Sequence, residues 1–304
     1  TPSGLCLSCH QEKGPAEKKG VGLHSHPVSV EIRNIPPLPP ALTSLGLGLP
    51  PIIGQTPGPF PLPLYAHADG RSLVECHTCH NPHQWQPGQK SKGQGVNAEG
   101  DGMNSFLRQP LLGKESLCAS CHADQFMVEG TDHDMRVTAQ SETNAAGKGV
   151  AEAGVCSSCH IPHNGQGPML WAKPLTAERE SHSYLCISCH NKKGPGKEKT
   201  LGEFSHRLGG TVKVKTDLPL VKRDENKQVM DCATCHNPHS WKPDGQTRGS
   251  GKNADGDGAS SFLRKTSLGQ ADLCMECHAQ QGNVAGTDHD MRVTAPDSTN
   301  MQGK

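Results

Sequence analysis

All fourteen cysteines of this 304-residue chain fall into Cys-x-x-Cys pairs, and a His follows each pair at once. The seven motifs are Cys6–Cys9–His10, Cys76–Cys79–His80, Cys118–Cys121–His122, Cys156–Cys159–His160, Cys186–Cys189–His190, Cys232–Cys235–His236 and Cys274–Cys277–His278. Two thiols one short turn apart can add across the two vinyl groups of one haem. The next residue is then held under the iron, where His supplies the fifth ligand. A disulfide framework or a set of zinc knuckles does not need a His after every pair. His makes up about 6% of the chain, so seven such placements by chance would be on the order of one in 10⁸ or rarer. The expected cofactor is therefore seven covalently attached haem c groups, with His10, His80, His122, His160, His190, His236 and His278 as proximal ligands.

That count answers a problem of composition. Only 33% of the chain is hydrophobic and 3% aromatic, against roughly 45–50% apolar in ordinary globular domains. Side chains alone cannot fill a core for this length, so porphyrin is expected to be the core and peptide the wrapper. Lys+Arg and Asp+Glu are 30 each, which argues against a nucleic-acid partner. No run approaches the roughly 18 apolar residues of a membrane helix. The uncharged stretch from Asn34 to Ala68 is broken by prolines. The chain opens at Thr1 rather than Met, which fits a processed product or a piece of a longer one.

The sequence repeats itself. Residues 185–300 and 5–144 share LCxSCH, CHNPH, SFLR and GTDHDMRVTA in the same order. The organisation expected is a three-haem repeat at 1–144, a one-haem connector at 145–184 and a second three-haem repeat at 185–304. The first copy carries a proline-rich insertion at about residues 36–59, with ten prolines between Pro36 and Pro63. It is expected to be extended chain, and its apolar, uncharged composition suggests an arm laid on a neighbouring molecule. Gly 35 and Pro 24 leave little room for regular structure. The expected fold is mostly coil with a few short helices at Ser116–His122, Ser183–His190 and Ala271–His278, a haem stack as core and little or no sheet.

A second pattern, Cys-x-x-Cys-His-x-Pro-His followed by a Leu-containing stretch and another Cys-x-x-Cys-His, occurs three times. In this the chain resembles the doubled-CxxCH multihaem c-type cytochromes over nearly its whole length. Haem 1 departs from the pattern, since no CHxPH motif precedes it. An eighth haem was lost, or the chain is a piece of a longer array. The chain is also similar to the extracellular filament-forming cytochromes of metal-reducing microbes. That resemblance implies an extracellular or cell-surface setting, with the periplasm as the alternative. It also implies little secondary structure, a continuous haem row and a distal His given across a subunit boundary.

Seven irons need seven further ligands if all are closed. The repeat register selects His83, His163 and His239, which end the CHxPH motifs, then His133 and His289 in the two GTDHDMRVTA segments, and His26 and His206 in aligned Ser-His pairs. His24, His67, His77 and His182 have no repeat partner; His24 could replace His26, and Met135 or Met291 could replace its neighbouring His. The His of a CHxPH motif is expected to serve the next haem of its pair. On that logic His163 serves haem 5, haem 1 lacks a donor, and His26 or His24 is left over to ligate an iron of another molecule. NAEGDG at 97–102 and NADGDG at 253–258 look like the start of a calcium loop. The twelfth position is Arg108 or Arg264 rather than Glu, so they are read as acidic turns.

Closed bis-His irons leave no place for a substrate, and there is no Cys-x-x-Cys-Lys variant, which in multihaem nitrite reductases marks the catalytic haem. The expected role is electron transfer through low-spin, low-potential haems and not catalysis. The expected partners are further copies of the chain as a homopolymer and redox proteins or an extracellular acceptor, with no nucleic acid and no membrane insertion. A discrete shuttle, or an electron-donating subunit of a reductase, is the alternative.

Overall fold

The computed structural model describes residues 1–32, 62–83, 106–111, 116–173, 183–203, 205–225, 227–239, 262–265 and 272–298. The chain divides into two compact units, Thr1–Glu178 and Arg179–Lys304. The proline-rich insertion and both acidic turns lie outside the described residues. So does His182.

In the first unit, helix α1 (Pro2–Leu7) begins with Pro at its first turn, where a missing N–H costs nothing. It carries Cys6 and packs on α2 (Cys76–Cys79). A small antiparallel sheet of β1 (Val30–Glu31), β2 (Tyr65–Ala66) and β3 (Ser72–Val74) has the order β1-β3-β2. It pairs Val30 with Val74 and Tyr65 with Leu73, and so delivers the chain to Cys76. Helix α3 (Met135–Thr138) packs on α4 (Val150–Ser157), which leads into the fourth motif. Val150, Ala153, Val155 and Met135 are buried there. The described residues 145–173 of the one-haem connector lie within the first unit, while its last residues, 179–184, fall in the second.

In the second unit, α5 (Ser183–Cys189) packs on α6 (Cys232–Cys235), and β4 (Val221–Asp224) pairs with β5 (Lys227–Val229). Helices α7 (Asp272–Met275) and α8 (Met291–Thr294) complete its described helices. Among its described residues, only Leu218 and Val229 form a buried apolar core.

Two helix expectations change. Residues 116–122 form a hydrogen-bonded turn and not a helix. Cys121 N–H reaches back three residues to the Cys118 carbonyl at 3.2 Å, while His122 N–H reaches back four at 2.9 Å, so no single helical ladder forms. Near 271–278 only Asp272–Met275 is helical, and a tighter turn takes over through His278. The two short sheets are additions to the mostly coil expectation.

Candidate haem-attachment sites

The seven motifs share one backbone design. In each, the His N–H donates to the carbonyl of the first Cys, at 2.8 Å in Cys186–His190 and 2.9 Å in the other six. One hydrogen-bonded turn therefore closes each Cys-x-x-Cys-His motif and keeps its two Cys and its His on neighbouring backbone. None of the fourteen cysteines is in a disulfide. Among the described residues, no group of three or more His, Cys, Asp or Glu side chains is arranged to hold a bare metal ion. A Cys-x-x-Cys pair with its adjoining His is the donor set that attaches and ligates a haem.

Two of the proximal rings are oriented from behind. His10 Nδ1 lies 3.1 Å from the Lys19 carbonyl and His160 Nδ1 lies 2.8 Å from the Met169 carbonyl. A proton on Nδ1 leaves Nε2 with the lone pair that binds iron. His160 also stacks on Trp171, with ring centres 4.9 Å apart. Burial pushes the pKa of His80 down to about 4, helped by His163, His10 and Arg108. Burial likewise lowers His122, His160, His163 and His236. These rings are neutral at neutral pH, the state in which imidazole is a ligand.

Two motifs are capped by carboxylates that the sequence reading passed over. Buried Glu75 closes a capping box with Thr78, whose Oγ1 accepts the Glu75 N–H at 3.0 Å. It also accepts hydrogen bonds from Ser3 and, at 2.9 Å, from Ser29. Ser3 Oγ in turn accepts the Cys76 N–H at 3.0 Å, so α1 and α2 share one polar joint. Asp231, Thr234 and Ser183 repeat it: the Cys232 N–H reaches Ser183 Oγ at 3.1 Å. An acidic residue before Cys-x-Thr-Cys-His, present in both copies, was the available signal.

The three CHxPH motifs are held by a second shared device. Asn81 N–H donates to the Phe106 carbonyl and Asn237 N–H to the Phe262 carbonyl, both at 2.7 Å, and Ile161 N–H donates to Leu170 at 2.9 Å. Phe106, Phe262 and Leu170 all have φ between 56° and 59°. Arg108 and Arg264 then place Nε 2.6 Å from the carbonyls of His77 and Ala233.

Successive attachment sites abut. The thiols of Cys6 and Cys76 lie close enough to shift each other's titration, as do those of Cys118 and Cys156 and those of Cys186 and Cys232. Cys79 senses Cys121 and Cys118, and burial pushes it up to about 12. Cys235, raised by burial, senses Cys277 and Cys274 in the same way. The influence of one motif's thiols on the next runs 1–2–3–4 in the first unit and 5–6–7 in the second.

Three distal candidates stand opposite proximal rings. Ring centres are 6.3 Å apart for His26 and His122, 5.9 Å for His80 and His163, and 6.2 Å for His206 and His278. A metal–imidazole bond is about 2 Å, so two imidazoles on opposite sides of one metal have centres about 6 Å apart. The rings therefore have the spacing that an iron between them requires. This arrangement departs from the expected pairing order: His163 faces His80 rather than the fifth motif, and His26 is not left over, because it faces His122. His26 is held there by its own N–H, which donates to the Pro162 carbonyl at 2.7 Å.

The remaining candidates occupy matched turns. His83 and His239 N–H groups donate to Asn81 and Asn237 Oδ1 at 3.1 Å, and His133 and His289 N–H groups reach Thr131 and Thr287 Oγ1 at 3.3 Å. Asp134 and Asp290 cap the following helices and bind Arg136 and Arg292. His67 pairs with Asp69 at 2.8 Å in the β2–β3 turn. His24 uses its carbonyl to accept the Gly165 N–H at 2.8 Å. His77 Nδ1 is buried, with no hydrogen-bond partner among the described residues. No described helix is long and apolar enough to cross a membrane.

Residues 148–195, which span the fourth and fifth motifs, match the family model described as "Doubled CXXCH motif". No curated protein and no solved structure matches the chain. The doubled motif signifies covalently bound haem c and points to a c-type cytochrome involved in electron transfer.

Proposed function

We propose that the chain is a heptahaem c-type cytochrome that carries electrons along a row of haems, as the subunit of an extracellular conductive filament. The observation that supports the electron-carrying part of this reading is the packing of successive attachment sites on one another, α1 on α2 and α5 on α6, with Ser3 and Ser183 bonded to the Cys76 and Cys232 N–H groups. Bound haem supplies an iron that cycles between Fe(III) and Fe(II). The chain's residues attach it through the fourteen cysteines, orient the seven proximal rings and exclude water. His26, His83, His133, His163, His206, His239 and His289 supply distal ligands. Imidazole on both sides lacks the Met that raises potential, so the centres are of low potential. The stretch at about 36–59, proline-rich, apolar and uncharged in sequence, is assigned to contact between copies.

Intact mass tests the cofactor: it should exceed the 32.3 kDa polypeptide by seven haems, and a smaller shift would mean an idle motif. Negative-stain imaging of protein recovered from the culture supernatant and cell surface tests the setting. Filaments that conduct between electrodes are expected. A monodisperse periplasmic protein would favour the discrete shuttle.

A further inference from the structure

The second, fourth and sixth motifs are built on one frame. In each, the residue after the proximal His donates its N–H to the carbonyl of a residue with positive φ. Two residues beyond that acceptor, a backbone N–H returns to the carbonyl of the second Cys. The returning groups belong to Arg108, Ala172 and Arg264, which reach Cys79, Cys159 and Cys235 at 2.9, 2.8 and 2.9 Å.

The frame is shared, but the charges on it differ. In the second motif Glu75 caps the start of α2, and Arg108 closes its end with Nε 2.6 Å from the His77 carbonyl. In the sixth motif Asp231 and Arg264 hold the same places on α6, with Arg264 Nε 2.6 Å from the Ala233 carbonyl. In the fourth motif the two places belong to Val155 and Ala172, both buried and uncharged. The cation that reaches Cys156 there is Arg136, which is held by Asp134 at 2.6 Å and Glu129 at 3.1 Å. The fourth motif thus shows that the frame closes without a guanidinium, so the backbone alone does not explain Arg108 and Arg264.

The acid and the guanidinium act at opposite ends of the turn. Glu75 and Asp231 stand before the first Cys, and their carboxylates accept from O–H and N–H donors, Ser3 and Ser29 in one case and the Ser183 and Cys232 N–H groups in the other. The guanidinium stands beside the second Cys, next to the His that binds iron. Arg108 acts on Cys79 and His80, and Arg264 on Cys235, whereas Asp231 acts on Cys232. Among the described residues, neither guanidinium is paired with a carboxylate. Both are partly buried. A guanidinium keeps its charge across the working pH range, and burial protects that charge from screening by salt.

Resting on the heptahaem reading, we infer that Arg108 and Arg264 are potential-setting residues, which raise the midpoint potentials of the second and sixth haems. The cause is charge. Reduction of Fe(III) to Fe(II) adds one electron and removes one unit of positive charge from the iron, so a fixed cation beside its ligand favours the reduced state. The bond from Nε to the carbonyl between the two Cys fixes the cation relative to the motif. The partner acid, spent on its own donors at the far end of the turn, leaves the cation as the nearer charge to the proximal His.

The test is a spectropotentiometric titration of the 1–304 holoprotein, with the haem count of every variant fixed by intact mass. Arg108→Gln removes the charge and keeps an N–H donor. It should move about one seventh of the optical change to lower potential. Arg264→Gln should move a second, equal share, and the double variant should move both. Arg108→Lys keeps the charge and loses the planar Nε contact. It should titrate close to the parent even where its Tm falls as far as that of Arg108→Gln. Titrations of Arg108→Gln and Arg264→Gln that superimpose on the parent would overturn the proposal. So would an equal downward shift in Arg108→Lys, which would make the cap and not the charge the cause. Should Arg108→Gln load fewer than seven haems, Arg264→Gln and Arg264→Lys carry the same comparison in the second unit. A parent mass other than seven haems would instead fault the heptahaem reading itself.

Discussion

The three facing histidine pairs make the sharpest claims about single residues. If His163 serves the iron of His80, His163→Ala should add one high-spin haem without changing the haem count, and added imidazole should restore the low-spin state. His26→Ala and His206→Ala should do the same at the irons of His122 and His278. Optical and paramagnetic spectra read all three, and a variant that stays fully low-spin would break its pair. Acid should act through the same rings. The folded-state pKa of His80, about 4, lies below the ordinary value near 6.5. The unfolded chain therefore takes up the proton first, and stability falls as pH drops from about 6.5 toward 4. A thermal melt of the haem-free first unit, in which no iron holds the ring, should show a falling midpoint across that window. Glu75 is the structural counterpart of these ligands: Glu75→Ala removes a helix cap and the acceptor of two serine hydroxyls. A loss on the order of 1–3 kcal/mol is expected, read as a lower denaturation midpoint with all seven haems retained.

Short elements here are set by backbone contacts more than by propensity, and this decides what the sequence could and could not disclose. The helix at Ser183–Cys189 was legible, as were the attachment turns, because spacing alone defines a Cys-x-x-Cys-His turn. The joints were not. Ser3 lies 72 residues from Glu75, and the SFLR segment that braces CHNPH is separated from it by more than twenty residues. The pairing of His163 with His80 crosses two intervening motifs, so no local rule for doubled motifs could find it. Glycine marks one element that the repeat does expose. Gly14 and Gly194 occupy equal places after the first motif of each copy. A Cβ at Gly194 would collide with the Cys189 carbonyl, and one at Gly14 with that of Cys9. Those carbonyls accept hydrogen bonds from Gly196 N–H at 3.1 Å and Ala16 N–H at 3.0 Å, so neither can retreat without loss. Gly194→Ala should cost on the order of 1–3 kcal/mol and lower the yield of chains carrying the fifth haem, as mass spectrometry of the purified protein would register.

At the scale of the molecule, the two units differ in how far peptide alone can sustain them. The first buries Leu62, Leu73, Val74, Leu107, Val150, Val155 and Ile161 besides its attachment sites, whereas the described part of the second buries only Leu218 and Val229. Apolar burial is the main favourable contribution to folding, so the second unit must draw more of it from porphyrin. Folding and cofactor attachment are then coupled there, much as in small metal-dependent domains. Expressed separately with haem-attachment machinery, residues 1–178 should carry four haems and residues 179–304 three. Without that machinery, residues 179–304 should give the circular dichroism of a coil and be degraded fastest, while residues 1–178 should keep measurable protection of the amides around α3 and α4 in hydrogen exchange. Equal protection in the two haem-free pieces would mean that the peptide cores are equivalent after all. The extra stability of the first unit would then have to be sought in its fourth haem rather than in the connector's side chains.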